Sequence, residues 1–439
     1  MSTQFNYFLY RRIEKILEYK RKIKYKKDKV HISHKIEIYP DQGAKEILDI
    51  NFNYQRYLYN LGVERYKYCK KECDEIGEKF YLIGHYFFHT FLQSPRRPKR
   101  DFELNDRRLI GKIRNCSANR LTRAYENWFS NPKHYGEPTF HKKNDHYMSF
   151  ELPVIKTRVG NYDTRITENN ELIFPKLIIR TPTYEKVNGH CYVSEKPRFN
   201  GKPLFVTFSK YEDHYYVCFT YELDKSPYEK TNSKIVVGID LGIKKFATMA
   251  TSDKRIMSID NQNRMKKMLY LLKKVSFYRW KMKNSKKVNN NVLTKNYFRW
   301  RKKFCQTHKK MADIRRNMLH EYTTWLTTNF GEIHIEDLWV DEMIVKKKNT
   351  FFSKDLAIAC FGMFRVMLEY KCKLRGVKLF IVDHYFPSSQ KCSQCGNIKP
   401  MKLGERFYEC PKCGISIDRD VNASLNILTE SDQITQICG

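Results

Sequence analysis

Acidic side chains are scarce in this 439-residue chain: 48 Asp and Glu stand against 82 Lys and Arg, a formal net charge of +34. Solubility alone does not call for that imbalance, because self-repulsion on this scale destabilises a compact fold unless a polyanion neutralises it. Long apolar runs are missing too. No stretch of about 18 apolar residues occurs, so nothing reads as a bilayer span and no membrane partner is expected. The first dozen residues are charged where a secretory signal would place its apolar segment. There is no internal repeat. Cysteine is abundant, at thirteen, but the number is odd and most are scattered singly. That excludes a secreted disulfide framework and points to a reducing, cytoplasmic setting, associated with the nucleoid, and to a metal site.

Aromatic residues make up 14% of the chain, with 30 Tyr and 28 Phe, and many neighbour a base, as in Tyr54-Gln55-Arg56-Tyr57 and Tyr66-Lys67-Tyr68. Basic groups contact phosphates while aromatic faces stack on unpaired bases, so the mixture suits RNA or single-stranded nucleic acid. A basic protein of the membrane surface is the competing reading.

Residues 1–30 form a basic extension, with Arg11 and Arg12 as candidate nucleic-acid ligands and Ile13, Ile16, Leu17 and Ile23 at amphipathic spacing. A short strand ends at Pro40. Leu48, Phe52, Leu58, Leu61 and Tyr68, then Leu121, Tyr125, Trp128 and Phe129, predict helices, and from about 147 to 223 the pattern turns to strands. The expected domains are a β-barrel at 31–45 and 140–224 interrupted by a helical lobe at 46–139, a linker at 225–233, a nuclease-like α/β domain at 234–387 and 417–439, and a cysteine module at 388–416. In the third region the order β-β-β-α-β-α-β, closed by a helix from about 421, is that of a ribonuclease-H-like fold. Its basic helical stretches, 264–283 and 299–316, carry Arg315 and Arg316 off the apolar stripe Met311, Ile314, Met318, Tyr322 and Trp325, as candidates for nucleic-acid contact.

Two pairs, Cys392-Ser-Gln-Cys395 and Cys410-Pro-Lys-Cys413, are separated by fourteen residues, and Gly396 and Gly414 follow them. Four thiolates so spaced predict a closed structural zinc site, with a redox pair as the alternative. Cys69, Cys73, Cys116 and Cys191 lack this spacing and read as ordinary thiols. Asp240 ends the first apolar strand of the third region, Glu336 ends a later one, and Asp420 opens the last helix. Each alone reads as a turn or cap residue. Together they form a candidate catalytic set for magnesium or manganese and phosphodiester cleavage. Asp418 competes with Asp420 for the third place.

Gly238-Ile239-Asp240-Leu241-Gly242-Ile243-Lys244, Ile335-Glu336-Asp337-Leu338, Pro387 to Gly396 and Asp418-Arg419-Asp420-Val421-Asn422-Ala423-Ser424-Leu425-Asn426-Ile427 resemble the signature of TnpB, the RNA-guided endonuclease of insertion sequences, and of the related miniature type V CRISPR effectors. Leu368 to Lys371 and Gly136 to Lys143 fit as well. The resemblance implies a wedge β-barrel with an inserted recognition lobe, then a RuvC nuclease with a zinc ribbon. It implies a guide RNA and target double-stranded DNA as partners, with one protein or two on each RNA, and magnesium-dependent cutting beside a short flanking motif. It implies Asp240, Glu336 and Asp420 as the catalytic trio, Tyr81, His85 and Asn115 as readers of the flanking motif, and Lys244 and Arg419 as further nucleic-acid contacts. Ala423-Ser424 departs from the family's Ala-Ala, and the basic extension is longer than usual. A guide-dependent repressor or transposition accessory that does not cut, and a junction resolvase acting without RNA, are the competing functions.

Overall fold

The computed structural model describes residues 29–77, 87–89, 92, 106–132, 135–142, 147–181, 184–242, 245–260, 262–288, 293–337, 360–402, 404–430 and 434–438. They fall into two compact units that divide between Lys225 and Ser226.

The first unit opens with strand β1 (Val30–Pro40) and helices α1 (Gln42–Glu75) and α2 (Ile113–Ser130). Asp41 starts α1 as an N-cap: its Oδ1 accepts from the Ala44 amide at 2.8 Å. The strands that follow are β2 (Tyr147–Pro153), the short hairpins β3 (Arg165–Ile166) with β4 (Leu172–Ile173) and β5 (Ile178–Thr181) with β6 (Tyr184–Val187), then β7 (Cys191–Val193), β8 (Lys202–Tyr211) and β9 (His214–Leu223). An antiparallel sheet runs β2-β8-β9-β1-β7, so the first strand pairs with the last, Val30 opposite Leu223, and both helices are inserted between β1 and β2. β9 alternates buried and half-buried positions, and Phe52, Phe150 and Phe208 lock α1 onto this face with ring centroids 5.0 and 5.1 Å apart. Leu48, Phe52, Leu58 and Leu61 are buried, as the spacing predicts. Tyr68 and Phe129, read as part of the same stripes, are 52% and 50% exposed at the outer ends of their helices. An ideal period assigns a face along the whole helix, but the sheet covers only part of each.

The second unit holds β10 (Val236–Leu241), β11 (Lys245–Thr251), β12 (Ile256–Asp260), the long helices α3 (Gln262–Val288) and α4 (Lys295–Asn329), β13 (Glu332–Glu336), α5 (Phe361–Arg375), β14 (Lys378–Val382), the hairpin β15 (Phe407–Glu409) with β16 (Ser416–Asp418), α6 (Arg419–Thr429) and β17 (Ile434–Cys438). Its sheet runs β12-β11-β10-β13-β14-β17. The first three strands are antiparallel neighbours, β10, β13 and β14 are parallel, and β17 closes the far edge antiparallel to β14. Val237, Ile239, Ile333, Ile335 and Leu379 form its core with Phe246, Phe364 and Leu368. β17 was not anticipated from the sequence, and Trp325, assigned to the buried stripe of α4, is 40% exposed.

Candidate active site

Parallel pairing places Ile239 opposite Ile335, so the residue after each, Asp240 and Glu336, lies at the same end of neighbouring strands. Both strands are buried through their middles and half-buried at their ends, where Asp240 and Glu336 stand. Helix α6 is brought over them by a missing side chain. A Cβ on Gly238 would stand 2.4 Å from the Leu428 nitrogen and 2.5 Å from the Ser424 carbonyl, so only glycine lets strand and helix backbones touch. Ser424 is itself fully buried, with its hydroxyl donating to the Val421 carbonyl at 2.8 Å.

The electrostatics register the convergence. Burial, then Glu336, then Asp420 push the Asp240 carboxyl well above the ordinary range, against the pull of Arg419. Burial also raises Glu336, opposed by the Ser388 hydroxyl that donates to its Oε1 and by His384. Asp418 and Asp420 separate by their hydrogen bonds. Asp418 Oδ1 accepts from the Asp420 and Val421 amides at 3.0 and 3.1 Å, which makes it the N-cap of α6. The Asp420 carboxylate instead lies 3.8 Å from Arg406 and 3.6 Å from Arg419.

Several supporting residues escaped the sequence reading. Asn422 accepts from the Ser393 amide at 2.9 Å and donates to the Lys391 carbonyl at 2.7 Å. Asn426 donates to the Ser388 and Lys391 carbonyls, each at 2.7 Å. Both asparagines are buried, and they staple the helix that bears Asp420 to the segment leading into the first cysteine knuckle. Arg365 bridges Asp337 and Glu369, while His384 donates to the Asp337 carbonyl at 2.8 Å. The signal that could have found the asparagines was polar residues at i and i+4 on the otherwise apolar face of the last helix.

The four sulfurs of Cys392, Cys395, Cys410 and Cys413 gather with all ligand atoms within 4.8 Å of one another. Cys392–Cys413 and Cys395–Cys410 are separated by 3.7 and 3.5 Å. A tetrahedron with Zn–S bonds of about 2.3 Å has edges of about 3.8 Å, so the set fits zinc. Each knuckle closes alike: the Gly396 amide donates to the Cys392 carbonyl at 2.9 Å and the Gly414 amide to the Cys410 carbonyl at 3.0 Å. Their φ angles of 73° and 74° require glycine. Desolvation raises the Cys410 thiol, but the amide donors of Cys413 and Lys412 outweigh it and lower it to about 6, whereas the Ile415 amide does not stop burial and the three neighbouring thiols from pushing Cys413 up to about 12. Burial instead drives Cys116 and Cys191 up to about 11 and about 12, which marks them as inert packing thiols.

Among the remaining candidates, Arg11, Arg12, Tyr81, His85 and Lys244 lie outside the described residues. Asn115 is exposed on α2 and Arg316 on α4, Arg315 is half-buried beside Cys360, and Arg419 lies against the acidic cluster. A cavity of about 510 Å³ opens at the opposite end of the same strands, lined by Val236, Glu332, His334 and Leu428. His334 is committed there to Glu332 at 2.9 Å and the Ile427 carbonyl at 3.2 Å. Among the described residues, no helix is long and apolar enough to cross a membrane.

Two family models match in this half of the chain. Residues 218–346 match the family model described as "Probable transposase" OrfB_IS605, and residues 361–427 match "Cas12f1-like, TNB domain". The sequence is similar to Acanthamoeba polyphaga mimivirus proteins described as TnpB-like, one of them 28% identical over 58% of this chain and 49% of that protein. A Streptomyces pristinaespiralis protein described as "Putative RNA-guided DNA endonuclease" is 33% identical over 193 residues, 44% of this chain and 44% of that protein. An Escherichia coli K12 protein of the same description, InsQ, is 27% identical over 336 residues, 73% of this chain and 74% of its own length. The chain thus aligns with less than half the length of the Streptomyces relative. The fold is similar to the protein of a solved Cas12f1–sgRNA–target DNA complex, with a TM-score of 0.54 and 12% identity over 93% of this chain and 100% of that one.

Proposed function

We propose that the chain is an RNA-guided DNA endonuclease whose ribonuclease-H-like, RuvC-type domain cuts target DNA beside a short flanking motif. The observation that carries this reading is that parallel pairing puts Asp240 and Glu336 at one end of neighbouring strands, with Asp420 in the first turn of the helix packed on them; burial, then Glu336 and Asp420, raise the Asp240 carboxyl. A strand order of antiparallel β12-β11-β10 continued by parallel β13 and β14 supports the fold, and the relatives described as RNA-guided DNA endonucleases support the activity.

The donor set fits hard divalent cations. Three carboxylates crowd a half-enclosed site, and their excess negative charge calls for a cation with oxygen preference. Two or three converging carboxylates can hold a pair of such ions about 4 Å apart. Magnesium or manganese held by Asp240, Glu336 and Asp420 would supply Lewis-acid stabilisation of the phosphate and an activated water. The protein's own part is positional. Ser388 fixes one oxygen of Glu336, Asp418 fixes the helix entry so that Asp420 leans over the strand end, and Arg406 and Arg419 offer positive charge to a phosphodiester near Asp420. Sequence would be read by pairing of guide RNA with the target strand, while the protein reads duplex shape and the flanking motif. The zinc centre is structural in this reading, since four thiolates leave no open position.

Protein expressed with its native locus is expected to copurify with a discrete RNA and to cut matching DNA only when magnesium is supplied. Asp240→Ala should abolish cutting while RNA copurification persists. Intact cleavage by that variant would overturn the site.

A further inference from the structure

From residue 261 to residue 312 the chain has no Asp or Glu, yet it carries 17 Lys and Arg. This stretch contains α3 and the first half of α4, which pack on one another through Met268, Leu271, Val275 and Met311. That small seam accounts for one side of each helix. The other side is aromatic. Tyr270, Phe277, Trp280 and Phe298 are 57%, 47%, 53% and 48% exposed, an unusual cost for four large rings on a hairpin whose own core is so slight.

The rings are also ordered. Trp300 of α4 stacks on Tyr278 of α3 with centroids 6.0 Å apart and meets Phe277 edge-on at 6.2 Å, while Phe277 lies 6.2 Å from Trp280. The Lys281 ammonium sits over three of them, 5.1 Å from Trp280, 5.5 Å from Phe277 and 5.7 Å from Trp300. Lys303 lies 5.0 Å over Trp300 from the other helix. Exposed and half-buried π-faces interleaved with cations, on a stretch whose own sequence holds no carboxylate, form a surface with two complementary parts. The rings suit bases whose faces are free, and the ammoniums suit the backbone linking those bases. A duplex offers the phosphates but keeps its base faces stacked internally. An acidic protein would satisfy the charge but leave the rings without a matching partner.

We propose that the α3–α4 hairpin is a stacking platform for unpaired nucleotides, taking successive bases of a single-stranded segment on Phe277, Trp280 and Trp300, with Lys281 and Lys303 on the phosphates. This deepens the nucleic-acid reading above and rests on it for the class of partner.

The test uses the full-length protein freed of copurifying RNA and a short labelled oligouridylate, with a duplex of equal length as control, titrated by fluorescence anisotropy at several salt concentrations. Trp280→Ala and Phe277→Ala should each weaken oligouridylate binding about tenfold with an unchanged salt slope and little effect on the duplex, and Trp280→Tyr should restore most of the loss. Lys281→Gln should instead lower the salt slope by about one. Unchanged oligouridylate affinity in Trp280→Ala overturns the platform, as does equal weakening toward both probes. A variant that alters only sedimentation mass overturns it too, by assigning the face to a second protein copy. Target cleavage is scored in parallel. Cutting with no stacking effect leaves the nuclease reading standing and removes the platform, while a stacking effect without cutting does the reverse.

Discussion

Asp418 and Asp420 differ by two positions and by everything that matters chemically. One spends an oxygen on two amides, and the other turns toward two guanidinium groups and the Asp240 carboxyl. Asp418→Ala should therefore cost about 1 kcal/mol of stability, a typical N-cap loss, and leave residual cutting. Asp420→Asn should eliminate cutting with no loss of melting temperature. Thermal melts and cleavage assays on the two variants check this, and the reverse pattern would exchange their roles. Lys371 makes a second case. Its ammonium donates to the His320 carbonyl at 2.8 Å and to the Thr323 and Thr324 hydroxyls at 2.7 Å. Burial, then Arg375, nevertheless lower it from 10.5 to about 8. Between those values the unfolded chain holds the extra proton, so this group's contribution to stability rises with pH across that window and is flat below it. Because the side chain is only half buried, the rise should be of the order of 1 kcal/mol. Melting curves of the native chain and Lys371→Met should diverge accordingly between the two pH values, and parallel curves would refute the assignment.

At the scale of elements, strands that end in an acid were legible because a buried apolar run is a strong pattern and its termination is sharp, as in Ile235 to Asp240. The cysteine knuckles were legible because spacing and glycine both follow from tetrahedral geometry. Other features were hidden for identifiable reasons. A cap and the proposed metal ligand both favour Asp at a helix entrance, so Asp418 and Asp420 could be separated only by where their oxygens point. Tyr68 and Phe129 continue a helical period past the edge of the sheet that would cover them. β17 is a strand because β14 offers it a partner, and five residues of mixed polarity do not declare that by themselves. The asparagine staple makes a prediction at this scale. The native chain should hold about one zinc, and Cys392→Ser with Cys410→Ser should destabilise the second unit by several kcal/mol. Since Asn422 and Asn426 tie the knuckle to the Asp420 helix, cutting should fall with zinc occupancy. Native mass spectrometry with a cleavage assay tests the link, and full cutting by a zinc-free chain would break it.

For the whole molecule, a net charge of +34 sets the balance between folding and binding. Such a chain gains stability from any polyanion that preferentially occupies its folded state, and its affinity should fall steeply as salt rises. The sheet of the second unit has a separate vulnerability at its margin. β14 lies one strand in from the sheet's edge, with Leu379, Ile381 and Val382 buried, and among the described residues β17 is its outer neighbour in the sheet order. A chain shortened just after Glu430 would bare a row of amides and carbonyls beside Leu379 and Ile381. Such a flank recruits strands from neighbouring molecules, so β17 guards this sheet against aggregation.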